Sequence, residues 1–89
     1  MDRYTVGNEA VKTQEKITAI LNDLHPGVDW ANESGLVDRG LIDSFDVIAL
    51  VGELSEAFGV EIGLEHLEPE NFNTVGAIAA LLERLGAGQ

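Results

Sequence analysis

The hydrophobic residues near the start of the chain recur at spacings of three, four and seven positions. From about Asn8 to Leu24 they share one side of a helical wheel, and polar residues fill the other side. The pattern predicts an amphipathic helix that ends before Pro26 and Gly27, because proline and glycine both disfavour its continuation. The predicted core-facing stripe consists of Ala10, Ile17, Ile20, Leu21 and Leu24.

A second stretch with helical spacing begins at Asp43 or Ser44 and extends to about Phe58. Asp43 is suited to cap this helix, and Asp46 follows three positions later, as a capping box requires. Both carboxylates also suit the positive end of the helix dipole. Gly59 favours a C-cap with left-handed backbone. The predicted core-facing stripe consists of Val47, Leu50, Val51, Leu54 and Phe58.

A last helix is predicted from about Thr74 to Leu85. Either Asn73 or Thr74 would cap it, and Gly86 would end it. Pro69 lies in the segment before it, where proline at a first helical position favours one turn of a short third helix. The predicted core-facing stripe of the last helix consists of Val75, Ile78, Ala79, Leu82 and Leu85.

Residues 25–43 show no sustained periodicity and predict a long connection between the first two main helices. Connections of this length are usually functional or held by a few buried side chains, and we expect Trp30 and Leu41 to be those side chains. No alternating pattern of a strand extends beyond a few residues. The fold class is therefore predicted to be all-α: a small four-helix bundle of three main helices and one short helix, with a long loop between helices 1 and 2.

The 89 residues suffice for one domain, whose core we expect over about residues 8–85. The sequence has no cysteine, which excludes disulfides and cysteine-based zinc sites. No apolar run reaches the length of a signal-peptide core or a membrane span. We therefore expect a cytoplasmic location, and separately we expect a monomer.

The formal net charge is -11 at pH 7, which disfavours binding to nucleic acid. Residues 29–70 hold eleven acidic residues and a single basic residue, Arg39. Acidity that serves solubility explains the total charge but not this uneven placement. We therefore expect the function to lie in the acidic middle of the chain.

The second helix carries an additional apolar surface opposite its core-facing stripe. Phe45 and Ile48 project there beside acidic residues. An apolar patch surrounded by carboxylates is typical of a docking surface, although the long loop would instead bury Phe45 if it folded over it. We call this predicted surface the partner face, and it consists of Phe45, Asp46, Ile48, Gly52, Glu53 and Glu56.

Residues 40–46 read GLIDSFD at the point where the long loop meets the second helix. This run resembles the Gly-x-Asp-Ser-[Leu/Phe] type of signature of the acyl carrier protein family, which includes peptidyl and D-alanyl carrier proteins, with Leu41 and Ile42 before the aspartate in this chain. The resemblance extends from the first helix to Leu85. It implies that a phosphopantetheinyl transferase moves 4′-phosphopantetheine from coenzyme A to the hydroxyl of Ser44. The commoner role of a serine at such a position is a plain helix cap.

By the same resemblance the chain is a non-catalytic carrier that holds acyl or aminoacyl groups as thioesters on the phosphopantetheine arm. Asp43 would take part in recognition by the transferase. The acidic residues of the partner face would meet Lys and Arg of the transferase, of a loading ligase and of downstream transferases. Phe45 directly after Ser44, together with Gly52, brings the chain slightly nearer to aminoacyl and D-alanyl carriers than to fatty-acid carriers.

Three other functions fit the sequence less well. An acidic interaction domain without a prosthetic group predicts the same charge and patch, and it remains the alternative. A calcium loop over residues 29–35 fails because Ala31 occupies a ligand position and Ser34 replaces the required glycine. No acid, base and nucleophile stand at spacings that suggest an enzyme. His25 and His66 are expected to be ordinary surface or loop residues, without a role beside Ser44 or as metal ligands.

Overall fold

The computed structural model describes residues 2–86, with side chains described for residues 12–86. The elements are α1 (Asp2–Leu24), α2 (Ser44–Phe58), α3 (Pro69–Phe72) and α4 (Val75–Arg84), with short 3-10 helices at Trp30–Asn32 and Leu64–His66. All regular structure in the described range is helical, which confirms the predicted all-α bundle of three main helices and one short helix. None of these helices is both long and apolar enough to cross a membrane.

The first helix is longer than predicted, because α1 begins at Asp2 and not near Asn8. The segment before Asn8 contains Gly7 and shows no apolar stripe. A single glycine costs only about 1 kcal/mol in a helix interior, and each residue added to a formed helix gains a backbone hydrogen bond. The helix therefore continues through Gly7. Ala10, part of the predicted stripe, lies outside the described side chains.

The core is formed where α1 packs against α2 and α4, and α3 packs against α4. The predicted stripes supply most of it, and Leu81, outside the stripe predicted for α4, is also fully buried. Each buried aliphatic side chain stabilises the fold by about 1.5–3 kcal/mol. Among the residues with described side chains, the buried ones are all apolar: Ile17, Leu21, Trp30, Leu36, Ile42, Leu50, Leu54, Ile62, Phe72, Val75, Ile78, Ala79, Leu81 and Leu82.

The caps of the main helices follow the sequence signals. Gly59 has φ 65° at the C-cap of α2, in the left-handed region that glycine adopts without strain. The hydroxyl of Thr74 accepts a hydrogen bond of 2.9 Å from the backbone N–H of Ala77. Of the two predicted caps for α4, Thr74 is therefore the cap, and Asn73 has a different role.

The long loop between α1 and α2 is held by Trp30, as predicted, and by two further buried side chains that were not predicted. Trp30 is buried, as expected, and lies in the first 3-10 helix, which contacts α1. Leu41 packs against the core but is only partly buried, whereas Leu36 and Ile42, which were not predicted, are fully buried. A loop without periodicity gives no indication of which neighbouring apolar side chain turns inward. The backbone N–H of Ile42 donates to the carbonyl of Leu36 over 3.0 Å, which fixes both residues toward the core.

Candidate functional site

The first turn of α2 is closed by a reciprocal capping box. The backbone N–H of Asp46 donates to Oδ1 of Asp43 over 2.9 Å, and the backbone N–H of Asp43 donates to Oδ2 of Asp46 over 3.0 Å. Asp43 has extended backbone angles, as an N-cap residue does. The predicted capping arrangement is confirmed, and it satisfies two backbone donors that a helix start would otherwise leave open.

Ser44 is the first residue of α2 and is exposed to solvent. The cap itself is Asp43, so the alternative that Ser44 acts as a plain capping serine is wrong. None of the hydrogen bonds found among the described side chains involves the hydroxyl of Ser44. The result is an accessible hydroxyl at the positive end of a 15-residue helix, where a negatively charged phosphoryl group is favoured.

A cleft of about 280 Å³ opens beside Ser44. The side chains that line it come from the long loop, from α2 and from the segment that contains α3, and most of them are apolar. An elongated group attached to Ser44 would therefore have an apolar surface to lie on. The residues that line the cleft are Val37, Ser44, Val47, Ile48, Leu67, Glu68, Pro69 and Phe72.

His25 lies in the loop directly after α1, as expected, and its side chain also contacts Asp46 in the first turn of α2. Its Nε2 lies 2.9 Å from Oδ2 of Asp46, and its ring centroid lies 6.4 Å from that of Trp30. The ring nitrogen lacks the alignment of a directed hydrogen bond, and the contact is an ion pair whenever the imidazole carries a proton. The signal available in the sequence was the position of His25 at the end of the first helix, but the contact depends on how the loop returns.

The pKa of Asp46 is lowered from its ordinary value of 3.8. The largest cause is the hydrogen bond that its carboxylate accepts from the backbone N–H of Asp43, and His25 lowers the pKa further. Both interactions stabilise the charged form of the carboxylate. Asp46 is therefore ionised at neutral pH, as the capping box requires.

The partner face is exposed in the folded protein. Phe45 is 82% exposed and Ile48 is 63% exposed, so the long loop does not cover them. Gly52, Glu53 and Glu56 are exposed as well. Asp46 differs from these residues: its side chain is only 23% exposed, and its carboxylate is already engaged by Asp43 and His25. The alternative that the loop buries Phe45 is thus wrong, whereas binding by these residues stays a prediction.

His66 lies in the second 3-10 helix, and its Nε2 is 3.7 Å from Oε2 of Glu65. It is half-buried and does not line the cleft beside Ser44. Across the residues whose side chains are described, no three His, Asp or Glu side chains converge as metal ligands would.

Comparison with known proteins identifies the family. Residues 15–82 match the protein family described as "Phosphopantetheine attachment site". The chain is also 33% identical over 70 residues to the "Probable acyl carrier protein PigG" of Serratia sp. (strain ATCC 39006), in a match that covers 79% of this chain and 78% of that protein. This chain therefore belongs to the family of phosphopantetheine-binding carrier proteins, whose prosthetic group is 4′-phosphopantetheine.

Proposed function

We propose that this protein carries acyl or aminoacyl groups as thioesters on a 4′-phosphopantetheine arm attached to Ser44, and passes them between partner enzymes. The single observation that carries the proposal is the state of Ser44. It lies exposed at the first position of α2, while the neighbouring Asp43 performs the capping that a serine there would usually provide. Its hydroxyl is thus available for a covalent bond.

Attachment requires little chemistry from this chain. The oxygen of Ser44 would form a bond to the phosphorus next to the pantetheine in coenzyme A, and adenosine 3′,5′-bisphosphate would leave. The proton of the hydroxyl would pass to a base of the transferase, because no described side chain is hydrogen-bonded to Ser44 as a base. The attached group supplies a thiol, which this sequence lacks because it has no cysteine.

The residues around Ser44 fit the attached group. The N–H groups and the dipole at the start of α2 favour the negative charge of a phosphodiester. The apolar cleft beside Ser44 provides a surface for the arm and its cargo. The carboxylates of Asp43 and Asp46 repel the phosphodiester less strongly than unbonded carboxylates would, since each accepts a hydrogen bond from a backbone N–H.

The partner face lies on the same helix and gives partner enzymes a place to bind. Phe45 and Ile48 supply exposed apolar area, and Glu53 and Glu56 supply exposed negative charge. Partners with basic side chains around an apolar pocket would be attracted from solution, and the binding would weaken with salt. Such binding is fast and reversible, as a carrier that visits several enzymes requires.

The name of the Serratia relative supports acyl groups as cargo, whereas Phe45 next to Ser44 favours aminoacyl groups. The two classes share the thioester and the arm. A loading assay with carboxylic acids and amino acids, each with its activating ligase, would separate them.

Intact-mass measurement tests the attachment site. The wild-type protein would be incubated with coenzyme A, magnesium and a broad-specificity phosphopantetheinyl transferase. We expect the mass of one phosphopantetheinyl group to be added to wild type and to Ser34→Ala, which removes an exposed serine elsewhere, and none to be added to Ser44→Ala. Addition to Ser44→Ala would place the site on another residue. No addition to any of the three would favour an interaction domain without a prosthetic group.

A further inference from the structure

We propose that Asn73 is a positioning residue that holds the loop wall of the cleft beside Ser44 in place. The functional part of this inference rests on the proposed attachment of the arm to Ser44, whereas its structural part does not. Asn73 lies between α3 and α4, at the C-cap of α3. From the sequence, Asn73 is one of two candidate caps of the last helix, a role that Thr74 fills.

The side chain of Asn73 binds the long loop through three hydrogen bonds. Its Oδ1 accepts from the backbone N–H of Val37 over 3.0 Å and from that of Asp38 over 3.1 Å. Its Nδ2 donates to Oδ2 of Asp38 over 3.1 Å. Its backbone carbonyl also accepts from the N–H of Leu36 over 2.9 Å. One residue therefore fixes three consecutive residues of the long loop, in a part of it that lies outside the 3-10 helix.

These contacts connect the two walls of the cleft. Val37 lines the cleft from the loop, and Phe72, the immediate neighbour of Asn73, lines it from α3. When Asn73 holds Val37, it sets the separation between the loop and α3. The width of the cleft is thus determined by hydrogen bonds as well as by apolar packing.

The same contacts lead along the chain to Ser44. The carbonyl of Leu36 accepts from the N–H of Ile42 over 3.0 Å, and Ile42 immediately precedes the cap residue Asp43. Without the hydrogen bonds to Asn73, the backbone at Leu36 would be more mobile. Because Leu36 is hydrogen-bonded to Ile42, the start of α2 would become more mobile as well. The amide of Asn73 is suited to this role because it offers an acceptor to two N–H groups and a donor to a carboxylate at once.

Amide hydrogen exchange of the unmodified protein tests the structural part. In Asn73→Ala we expect exchange at Val37 and Asp38 to accelerate by about tenfold or more, because the acceptor of both backbone N–H groups is lost. Exchange at Ile42 should also accelerate, while the amides of α1 stay protected. Asn32→Ala is the control, since Asn32 bonds only the exposed Asp29. Unchanged exchange at Ile42 in Asn73→Ala would overturn the proposal that Asn73 acts on the start of α2.

A rescue experiment exchanges the amide and the carboxylate between positions 73 and 38. Asn73→Asp keeps the acceptor for the two N–H groups but places a second carboxylate against Asp38. The double variant Asn73→Asp, Asp38→Asn restores one donor and one acceptor in the reverse order. We expect slow exchange at Val37 in the double variant and fast exchange in the single variant. Equal exchange in both would show that the pair of side chains does not hold the loop.

The rate of arm attachment tests the functional part. We expect kcat/KM of the transferase to fall about tenfold for Asn73→Ala, because an ordered site loses its alignment, and to recover in the double variant. Unchanged kcat/KM alongside accelerated exchange would overturn the role in presenting Ser44. Failure of the proposed function would be distinguishable, because wild type would then remain unloaded while the exchange experiment still gave its result.

Discussion

The imidazole of His25 lies 2.9 Å from the carboxylate of Asp46, and this contact joins the end of α1 to the start of α2. The contact holds the two ends of the long loop together, because His25 is the first residue after α1 and Asp46 belongs to the first turn of α2. Asn73 holds the same loop near its middle. The segment that presents Ser44 is thus fixed at two points by polar contacts.

The cap of α2 predicts contrasting effects of two neighbouring substitutions. Asp43→Ala removes the acceptor for the N–H of Asp46 and should lower the free energy of unfolding by about 0.5–2 kcal/mol. Ser44→Ala removes an exposed hydroxyl and should change it by no more than about 0.5 kcal/mol. Urea unfolding followed by Trp30 fluorescence measures both. A larger loss for Ser44→Ala than for Asp43→Ala would contradict the assignment of the cap.

The ion pair predicts a change in the pKa of Asp46. In His25→Gln that pKa should rise, because a neutral side chain no longer favours the carboxylate. It should stay below 3.8, because the N–H of Asp43, the larger cause, is retained. Carboxyl chemical shifts measured against pH give the value. His66→Gln is the matched control and should leave Asp46 unchanged; the same pKa in His25→Gln and wild type would mean that the pair does not form in solution.

The lowered pKa of Asp46 also predicts how the stability of the fold depends on pH at the acidic end. The folded protein binds this proton less readily than the unfolded chain, so the contribution of Asp46 is fully present above about pH 3.8. It is lost as the pH falls through the folded-state pKa, below 3.8. Asp46→Asn should therefore show a shallower loss of stability than wild type in that window, as measured by urea midpoints. Parallel curves for the two proteins would exclude Asp46 as a source of the acid sensitivity.

The partner face predicts that charge-reversing substitutions on it weaken association with the transferase without lowering the stability of the fold. Glu53→Lys and Glu56→Lys should each lower kcat/KM of the transferase by about tenfold at low salt, with a smaller effect at high salt. Both residues are exposed, so unfolding midpoints should barely change. Glu83→Lys makes the same change of charge at an exposed position on α4 and is the control. An equal loss for Glu83→Lys would indicate that only net charge matters.

The local elements of this protein are predictable from its sequence. Capping by Asp43 and Asp46, the left-handed Gly59 and the apolar stripe of α2 depend on residues within a few positions of one another. Helical periodicity therefore predicts the bundle, and the GLIDSFD run predicts its family, since both signals depend only on residues that are close together in the sequence.

The contacts between distant segments are decided by the tertiary structure. Asn73 and Val37 are 36 positions apart, and His25 meets Asp46 only after the loop has returned. The loop carries no periodicity to show which side chains face inward, so the sequence alone does not distinguish Leu41 from the more deeply buried Leu36 and Ile42. Exposure of Phe45 likewise depends on where the loop packs, not on the residues next to Phe45. Packing of the helices brings these groups together, so only the folded chain determines the cleft beside Ser44.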